Sequence, residues 1–204
     1  MHPDPAFAWD DAVAIRAFVA DMAFAHLFVA GPRGVAVVHA PMLLVGTDRL
    51  QFHLPHRNRA APLIAGATLI ASFAGPQGYV SPDWYGLDDQ VPTWNYRAVE
   101  AEGHAVPIDR AGLVAHLDAL SEVHERRLSP KPVWTRAKID PARFDAMLPA
   151  IAGYELTVTT WRGTVKLGQN KPARAVDGVI ANLPDAALSD AMQRVRTGTK
   201  EPQS

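Results

Sequence analysis

The 204-residue chain contains no cysteine. This absence excludes a disulfide framework, a thiol nucleophile and any metal site built on thiolates. The chain also lacks a Gly-x-Gly-x-x-Gly fingerprint, a Walker-type phosphate loop and a Gly-x-Ser-x-Gly elbow. A phosphate-bearing ligand would therefore be bound by side chains rather than by a glycine-rich loop at the start of a helix.

An excess of positive charge is missing as well, since 20 lysines and arginines stand against 21 aspartates and glutamates. An extended nucleic-acid surface needs basic side chains to neutralise phosphates, and this balance argues against one. The helical segments do not form a turn-linked pair with basic, base-reading side chains, as a helix-turn-helix would. Direct DNA binding has no support from the residues themselves.

Long apolar runs are also absent, and no segment reaches the length that would span a bilayer. The first residues, Met1-His2-Pro3-Asp4, do not have the basic-then-apolar layout of a signal peptide. We therefore expect a cytoplasmic protein that does not contact the membrane.

Short segments of alternating polarity, separated by turn residues, predict many β-strands. The predicted strands are residues 24–30, 35–40, 43–45, 50–54, 68–73 and 94–106, followed by a closing hairpin of 154–161 and 164–167 around Arg162-Gly163. The predicted helices are one capped by Asp10-Asp11, residues 58–65, one capped by Asp109, and residues 141–147, 171–183 and 188–196. This order favours a mainly β, α+β fold in which an antiparallel barrel carries flanking helices. We expect one domain over residues 1–183 and a partly frayed helical tail over 184–204.

Histidine pairs invite a metal site, but their spacing does not favour one. In a strand, residues three apart face opposite sides, so His53 and His56 would need a kink at Pro55 to share a metal ion. His116 and His124 are not one helical turn apart and are expected on a solvated helix face. The sequence predicts no metal.

An aromatic block is the most distinctive feature of the chain. Tyr79-Val80-Ser81-Pro82-Asp83-Trp84-Tyr85 is followed after five residues by Val91-Pro92-Thr93-Trp94-Asn95-Tyr96. Large aromatic rings that carry a hydroxyl or an N–H group, interleaved with proline and small polar residues, suit a flat and partly polar ligand. The same composition would also suit an aromatic contact buried between two subunits, and the pattern leaves both interpretations open.

This block resembles the PaiB family, whose members are known as FMN-binding negative transcriptional regulators. A second block, Trp161-Arg162-Gly163-Thr164-Val165-Lys166-Leu167-Gly168-Gln169-Asn170-Lys171, is similar to the family's Lys-Leu-Ser-Gln-Asn signature. Weaker matches are His39-Ala40-Pro41 and Arg57-Asn58. At position 168 glycine replaces the family's usual serine, so one hydroxyl group is missing from this chain.

The resemblance implies an FMN-binding split barrel of the six-stranded type, in which two subunits pair and share flavin sites. It implies FMN as the cofactor, while DNA as a partner rests on the family description alone. FMN needs cations and donors for its phosphate, and flat walls and donors for its ring. The expected contacts are His39, Arg57, Asn58, Thr93, Trp94, Asn95, Lys166, Gln169 and Asn170.

Among these residues, Lys166 and Arg57 are the expected cations and Trp94 is the expected ring wall, whereas no catalytic residue is identified. A flavin-dependent oxidoreductase acting on a small molecule or on NAD(P)H is the alternative function. A third possibility is a barrel that has kept its dimer contact but lost cofactor affinity. Each named lysine, arginine or asparagine could also serve a solvated surface or a turn.

Overall fold

The computed structural model describes residues 2–198. The strands in this part of the chain are β1 (Ala8–Trp9), β2 (Phe24–Gly31), β3 (Gly34–Pro41), β4 (Leu43–Val45), β5 (Arg49–Pro55), β6 (Thr68–Val80), β7 (Thr93–Pro107) and β8 (Ile151–Lys166). The helices are α1 (Ala12–Met22), α2 (Ala61–Ile64), α3 (Arg110–Arg126), α4 (Pro141–Met147), α5 (Ala173–Asn182) and α6 (Ala186–Thr197). Four short 3-10 turns connect them, at Pro5–Phe7, Pro82–Tyr85, Arg136–Lys138 and Leu148–Ala150.

The strands form one sheet in the order β3-β2-β6-β7-β8-β5-β4, and β1 pairs with β8. The pairs β2–β3, β2–β6, β4–β5, β5–β8 and β1–β8 are antiparallel. Within residues 2–198 this order ends at β3 and at β4 and does not close into a ring. The predicted mainly β, α+β fold with flanking helices is confirmed. Six of the strands described are long, and the two-residue β1 and three-residue β4 are short additions.

Alternation along β5 shows why these residues form a strand. Leu50, Phe52 and Leu54 are buried, while Gln51 and His53 point to the opposite face, as predicted. Burial of each such apolar side chain stabilises the fold by about 1.5–3 kcal/mol. Both predicted caps are also present, since the Asp11 carboxylate accepts the backbone N–H of Val13 and that of Ala14, and Asp109 accepts that of Gly112.

The described residues divide into two compact units, and strands β6, β7 and β8 supply residues to both. The first unit contains residues 2–22, 73–100 and 162–198, and the second contains 23–72 and 101–161. In the first unit, α5 and α6 bury an apolar core together with the 3-10 turn Pro82–Tyr85. Its largest buried contributors include Leu167, Val176, Leu188 and Met192. The predicted boundary at residue 183 falls between α5 and α6, and the division there stays a prediction. Most of the residues predicted to fray, 199–204, lie outside the described part.

The predicted closing hairpin around Arg162-Gly163 is wrong, because β8 continues unbroken through both residues. A Cβ atom at Gly163 would lie 2.8 Å from the backbone oxygen of Trp9, its register partner in β1. The glycine therefore permits a close approach between two strands rather than a turn. The sequence pattern could not separate these two uses of glycine.

Strand β6 is also longer than predicted, since it runs to Val80 through Gly75 and Gly78 instead of ending at residue 73. A Cβ atom at Gly75 would lie 2.7 Å from the ring of Phe18, and one at Gly78 would lie 2.9 Å from Leu188. The two glycines make room for large side chains that pack on the strand.

A pair of histidines lies between α3 and β5 in the second unit. The Nδ1 atom of His53 is 3.1 Å from Nε2 of His116, and His116 is only 1% exposed. The expectation of a solvated helix face is wrong for His116, because α3 buries Leu113, His116 and Leu120 instead. Burial lowers the pKa of His116 to about 4, with a further contribution from His53, whose own pKa is lowered by burial.

We expect this pair to make the protein less stable in mild acid. Because the folded state holds both imidazoles neutral, its stability is full above their ordinary pKa near 6.5 and is lost as the pH falls toward 4. His116→Leu removes one of the two imidazoles, so the free energy of unfolding should fall less steeply as the pH is lowered. The measurement is the free energy of unfolding from urea titrations between pH 7 and pH 4.

The matched control is His104→Leu, which removes an exposed imidazole from β7 in the same unit. It should keep the slope of the wild type. Equal pH slopes for the wild type and His116→Leu would show that the pair does not control acid stability.

Candidate functional site

The aromatic block and the second block, whose residues 166–170 read Lys-Leu-Gly-Gln-Asn, meet in the first unit. They lie around a cavity of about 270 Å³. Four of the predicted site residues line it: Thr93, Asn95, Lys166 and Asn170. Residues from both blocks therefore line the same cavity.

Strand β7 determines which side chains reach the cavity. Thr93 and Asn95 lie two residues apart and line it, whereas Trp94 between them is half exposed on the opposite face. The indole N–H of Trp94 donates to the side-chain oxygen of Gln77 at 3.2 Å. Within one chain, Trp94 is therefore not a wall of the space that Thr93 and Asn95 line.

Lys166 is the last residue of β8 and extends into the cavity toward β7. Its Nζ donates to the Thr93 hydroxyl oxygen at 2.7 Å and lies 5.9 Å from the centre of the Phe7 ring. Both neighbours are uncharged. The ammonium group is held in position by a hydrogen bond without having its charge neutralised by these contacts.

Asn95 is almost fully buried, with an exposure of 1%. Its side-chain amide N–H donates to the Met192 sulfur at 3.4 Å. A thioether is a weak acceptor, so this hydrogen bond costs little to exchange for a stronger one. The contact links β7 to the buried face of α6.

A tight turn follows β8 and returns the chain to the cavity. Gly168 has a φ of +83°, in the left-handed region, and its carbonyl accepts the backbone N–H of Lys171 at 2.9 Å. A serine, usual in the family at this position, would be strained by such a φ. The turn directs Asn170 and Lys171 into the lining, along with Gly168 itself.

Lys171 is a cavity residue that the sequence analysis missed. Its Nζ donates to the Gln90 side-chain oxygen at 2.6 Å and lies 5.2 Å from the centre of the Tyr85 ring. The available signal was its position directly after the Lys-Leu-Gly-Gln-Asn block. That signal was too weak to use without knowing that a turn at Gly168 brings Lys171 back toward Lys166.

Gln169 makes its hydrogen bonds within its own unit. Its side-chain oxygen accepts the backbone N–H of Leu167 at 2.8 Å, and its side-chain N–H donates to the carbonyls of Val165 and Ala6. These contacts hold the turn after β8 and the N-terminal segment. Gln169 does not itself line the cavity, but it holds the turn whose residues Gly168 and Asn170 do.

The other three predicted residues belong to the second unit. His39 is exposed on β3, and its ring packs edge-to-face against that of His26 at 4.8 Å between centroids. Asn58 accepts the backbone N–H of Ala60 at 2.9 Å and so shapes the turn before α2, while Arg57 is exposed.

The residues around the cavity fit a phosphate-bearing ligand. Lys166 and Lys171 supply ammonium groups, and Thr93, Asn95 and Asn170 supply neutral hydrogen-bonding groups. The volume of about 270 Å³ is slightly below the range of about 300–1,000 Å³ for whole-ligand pockets. The cavity is therefore sized for the charged end of a larger ligand.

Comparison with known proteins identifies the family. The family model described as "Putative FMN-binding domain" matches residues 1–160. The chain belongs to this family. It is also 30% identical over 125 residues to "Protease synthase and sporulation protein PAI 2" of Bacillus subtilis (strain 168), an alignment that covers 61% of this chain and 59% of that relative. The resemblance to the PaiB family and the expected cofactor, FMN, are confirmed.

Two solved structures show the same fold at low sequence identity. The flavocytochrome Anf3 from Azotobacter vinelandii has a TM-score of 0.58 and 18% identity, with 79% of this chain and 70% of that chain covered. The FAD and heme binding protein from Mycobacterium smegmatis has a TM-score of 0.56 and 17% identity, with coverage of 85% and 78%. The predicted split-barrel fold class is confirmed by these similarities.

The described residues also bear on membrane spanning and metal binding. Among residues 2–198, no helix is long and apolar enough to cross a membrane. Over the same residues, no three or more histidine, aspartate or glutamate side chains are grouped so that they could hold a metal ion.

Proposed function

We propose that this PaiB-like chain binds FMN with the phosphate in the cavity of the first unit. The observation that carries the proposal is the position of the Lys166 ammonium group. It extends into the cavity, and its hydrogen-bond acceptor there is the uncharged Thr93 hydroxyl. Asn95 and Asn170 add amide groups at the same lining. When bound, FMN supplies a redox-active isoalloxazine ring, and the cavity side chains supply its orientation.

Lys166 is suited to exchange its present partner for a phosphate oxygen. A hydrogen bond from an ammonium group to a phosphate is charge-assisted and stronger than one to a neutral hydroxyl. The Thr93 hydroxyl released by this exchange can itself donate to a second phosphate oxygen. Both side chains would then stabilise the bound anion.

Lys166→Ala should weaken FMN binding by about 1.5–3 kcal/mol, because it removes a charge-assisted contact. The measurement is a fluorescence titration of purified protein with FMN. Lys138→Ala is the matched control, since it removes an exposed lysine in the second unit. Unchanged FMN affinity in a folded Lys166→Ala protein would contradict the assignment of Lys166.

We propose that the flavin site is completed in a homodimer. The outer face of the β2–β3 hairpin exposes the apolar residues Phe24, Phe28, Val35 and Val37, with Phe28 and Val37 opposite each other. Several large apolar side chains exposed on one face mark an interaction surface, and β3 is at one end of the sheet order. The His26–His39 ring pair lies on the same hairpin, so His39 is proposed to act at this surface.

Trp94, Arg57 and Asn58 remain proposed flavin contacts. The exposed indole of Trp94 suits a flat ring or an aromatic contact with a second subunit, because it faces away from Thr93 and Asn95. Gln169 is proposed to support the site by holding the turn after β8.

Val37→Lys should shift a dimer toward monomer, because it places a charge in the middle of the apolar β2–β3 face. Light scattering at matched concentrations measures the change. Val13→Lys on α1 alters an equally apolar but separate exposed position, and it should leave the oligomeric state unchanged. If the Val37→Lys protein dimerises as strongly as the wild type, the dimer interface does not include the β2–β3 face.

The regulatory role is proposed from membership of the PaiB family. We infer a cytoplasmic negative transcriptional regulator whose activity responds to the flavin, and a net charge of −1 favours action through a protein partner over direct DNA contact. We expect no promoter binding by the FMN-loaded protein alone at physiological salt. Salt-sensitive binding to promoter DNA would instead support direct contact.

The oxidoreductase alternative is tested on the same preparation. Oxidation of NADH or NADPH by the FMN-loaded protein, measured by loss of nicotinamide absorbance, would favour an enzyme. A regulator requires no such turnover.

A further inference from the structure

Lys171 brings a second ammonium group to the cavity that contains Lys166. The two lysines are five residues apart in the chain, and the turn that begins at Gly168 places both in one lining. Lys171 donates to the Gln90 side-chain oxygen at 2.6 Å. Its other close neighbour is the face of the Tyr85 ring, at 5.2 Å from the centroid.

The Gln90 side chain is held in place by a hydrogen bond of its own, and this leaves its oxygen free to accept a hydrogen bond from Lys171. Its side-chain N–H donates to the backbone oxygen of Asp88 at 2.9 Å, so its side-chain oxygen remains to accept from Lys171. A cation over an aromatic face is stabilised without losing its charge. The Lys171 ammonium is therefore positioned before any ligand arrives, which reduces the entropy cost of binding.

Two ammonium groups, those of Lys166 and Lys171, outnumber the one carboxylate among the residues that line the cavity. Asp4 is the carboxylate in the lining, and one of its oxygens accepts the backbone N–H of Ala6 at 2.9 Å. Helix α5 begins at Ala173, and its cap residue Pro172 has no side-chain oxygen to satisfy the first N–H groups. The positive end of this helix thus lies two residues beyond Lys171 in the chain.

We propose that Lys171 is the second cation of the phosphate site and that it makes the site select FMN over riboflavin. This inference rests on the proposed FMN binding. A phosphate monoester carries a charge of about −1.5 to −2 at neutral pH, and one ammonium group offsets only part of it. The second ammonium group counters the Asp4 carboxylate and offsets more of the phosphate charge, whereas riboflavin, which has no phosphate, gains nothing from it.

The test compares Lys171→Gln with the wild type in fluorescence titrations with FMN and with riboflavin. We expect FMN affinity to fall about tenfold or more, while riboflavin affinity stays within about twofold. Lys171→Arg should retain most of the preference because it keeps the charge. Lys138→Gln, at an exposed position in the second unit, is the matched control.

The outcomes separate this inference from the function on which it rests. A wild type that binds no FMN would refute the proposed function itself. If the wild type binds FMN and Lys171→Gln binds it equally well, the role of Lys171 is overturned. Equal losses for FMN and riboflavin would also overturn it, because they indicate a structural role.

Inorganic phosphate provides a second measurement that does not depend on a variant. It should compete with FMN for the wild-type protein and should not displace riboflavin. Lys171→Met, which keeps the apolar stem of the side chain, replaces the glutamine variant if that protein does not fold. Displacement of both flavins to the same extent would contradict a phosphate site.

Discussion

The left-handed backbone at Gly168 is the constraint on which the geometry of the site depends. It lets the chain reverse directly after β8, so that Lys166 and Lys171 face the same cavity. The residues around the reversal are anchored twice. Leu167 is buried in the core, and the Gln169 side chain bonds to the backbone of Leu167, Val165 and Ala6. Replacement of the family serine by glycine therefore removes a hydroxyl group but relieves strain in the turn.

The two-residue period of β7 divides the aromatic block into two surfaces. Thr93 and Asn95 line the cavity, and Trp94 is presented on the other face. The two interpretations of the block from sequence, a ligand site and a subunit contact, are therefore not exclusive. One strand can serve both, because adjacent residues face opposite sides.

The sequence predicted the fold class and most strands and helices, since periodicity and caps are local signals. It failed where glycine permits close packing: Gly163 and Gly75 look like turn residues but lie inside strands. It also failed for His116, because a buried imidazole needs its partner His53 from a distant strand. Lys171 was missed for the same reason, as its position depends on a reversal that residue types alone do not specify.

In the proposed site, the existing hydrogen bonds of the lysines explain how a nearly neutral protein would bind a dianion. In the second unit, arginines such as Arg110 and Arg136 are already paired with carboxylates, those of Asp145 and Asp118. The ammonium group of Lys166, by contrast, is bonded to a hydroxyl group. An anion that replaces such a neutral partner gains a charge-assisted bond without breaking an ion pair. Affinity for phosphate therefore depends on which partners the cations already have, and net charge is a poor guide to it.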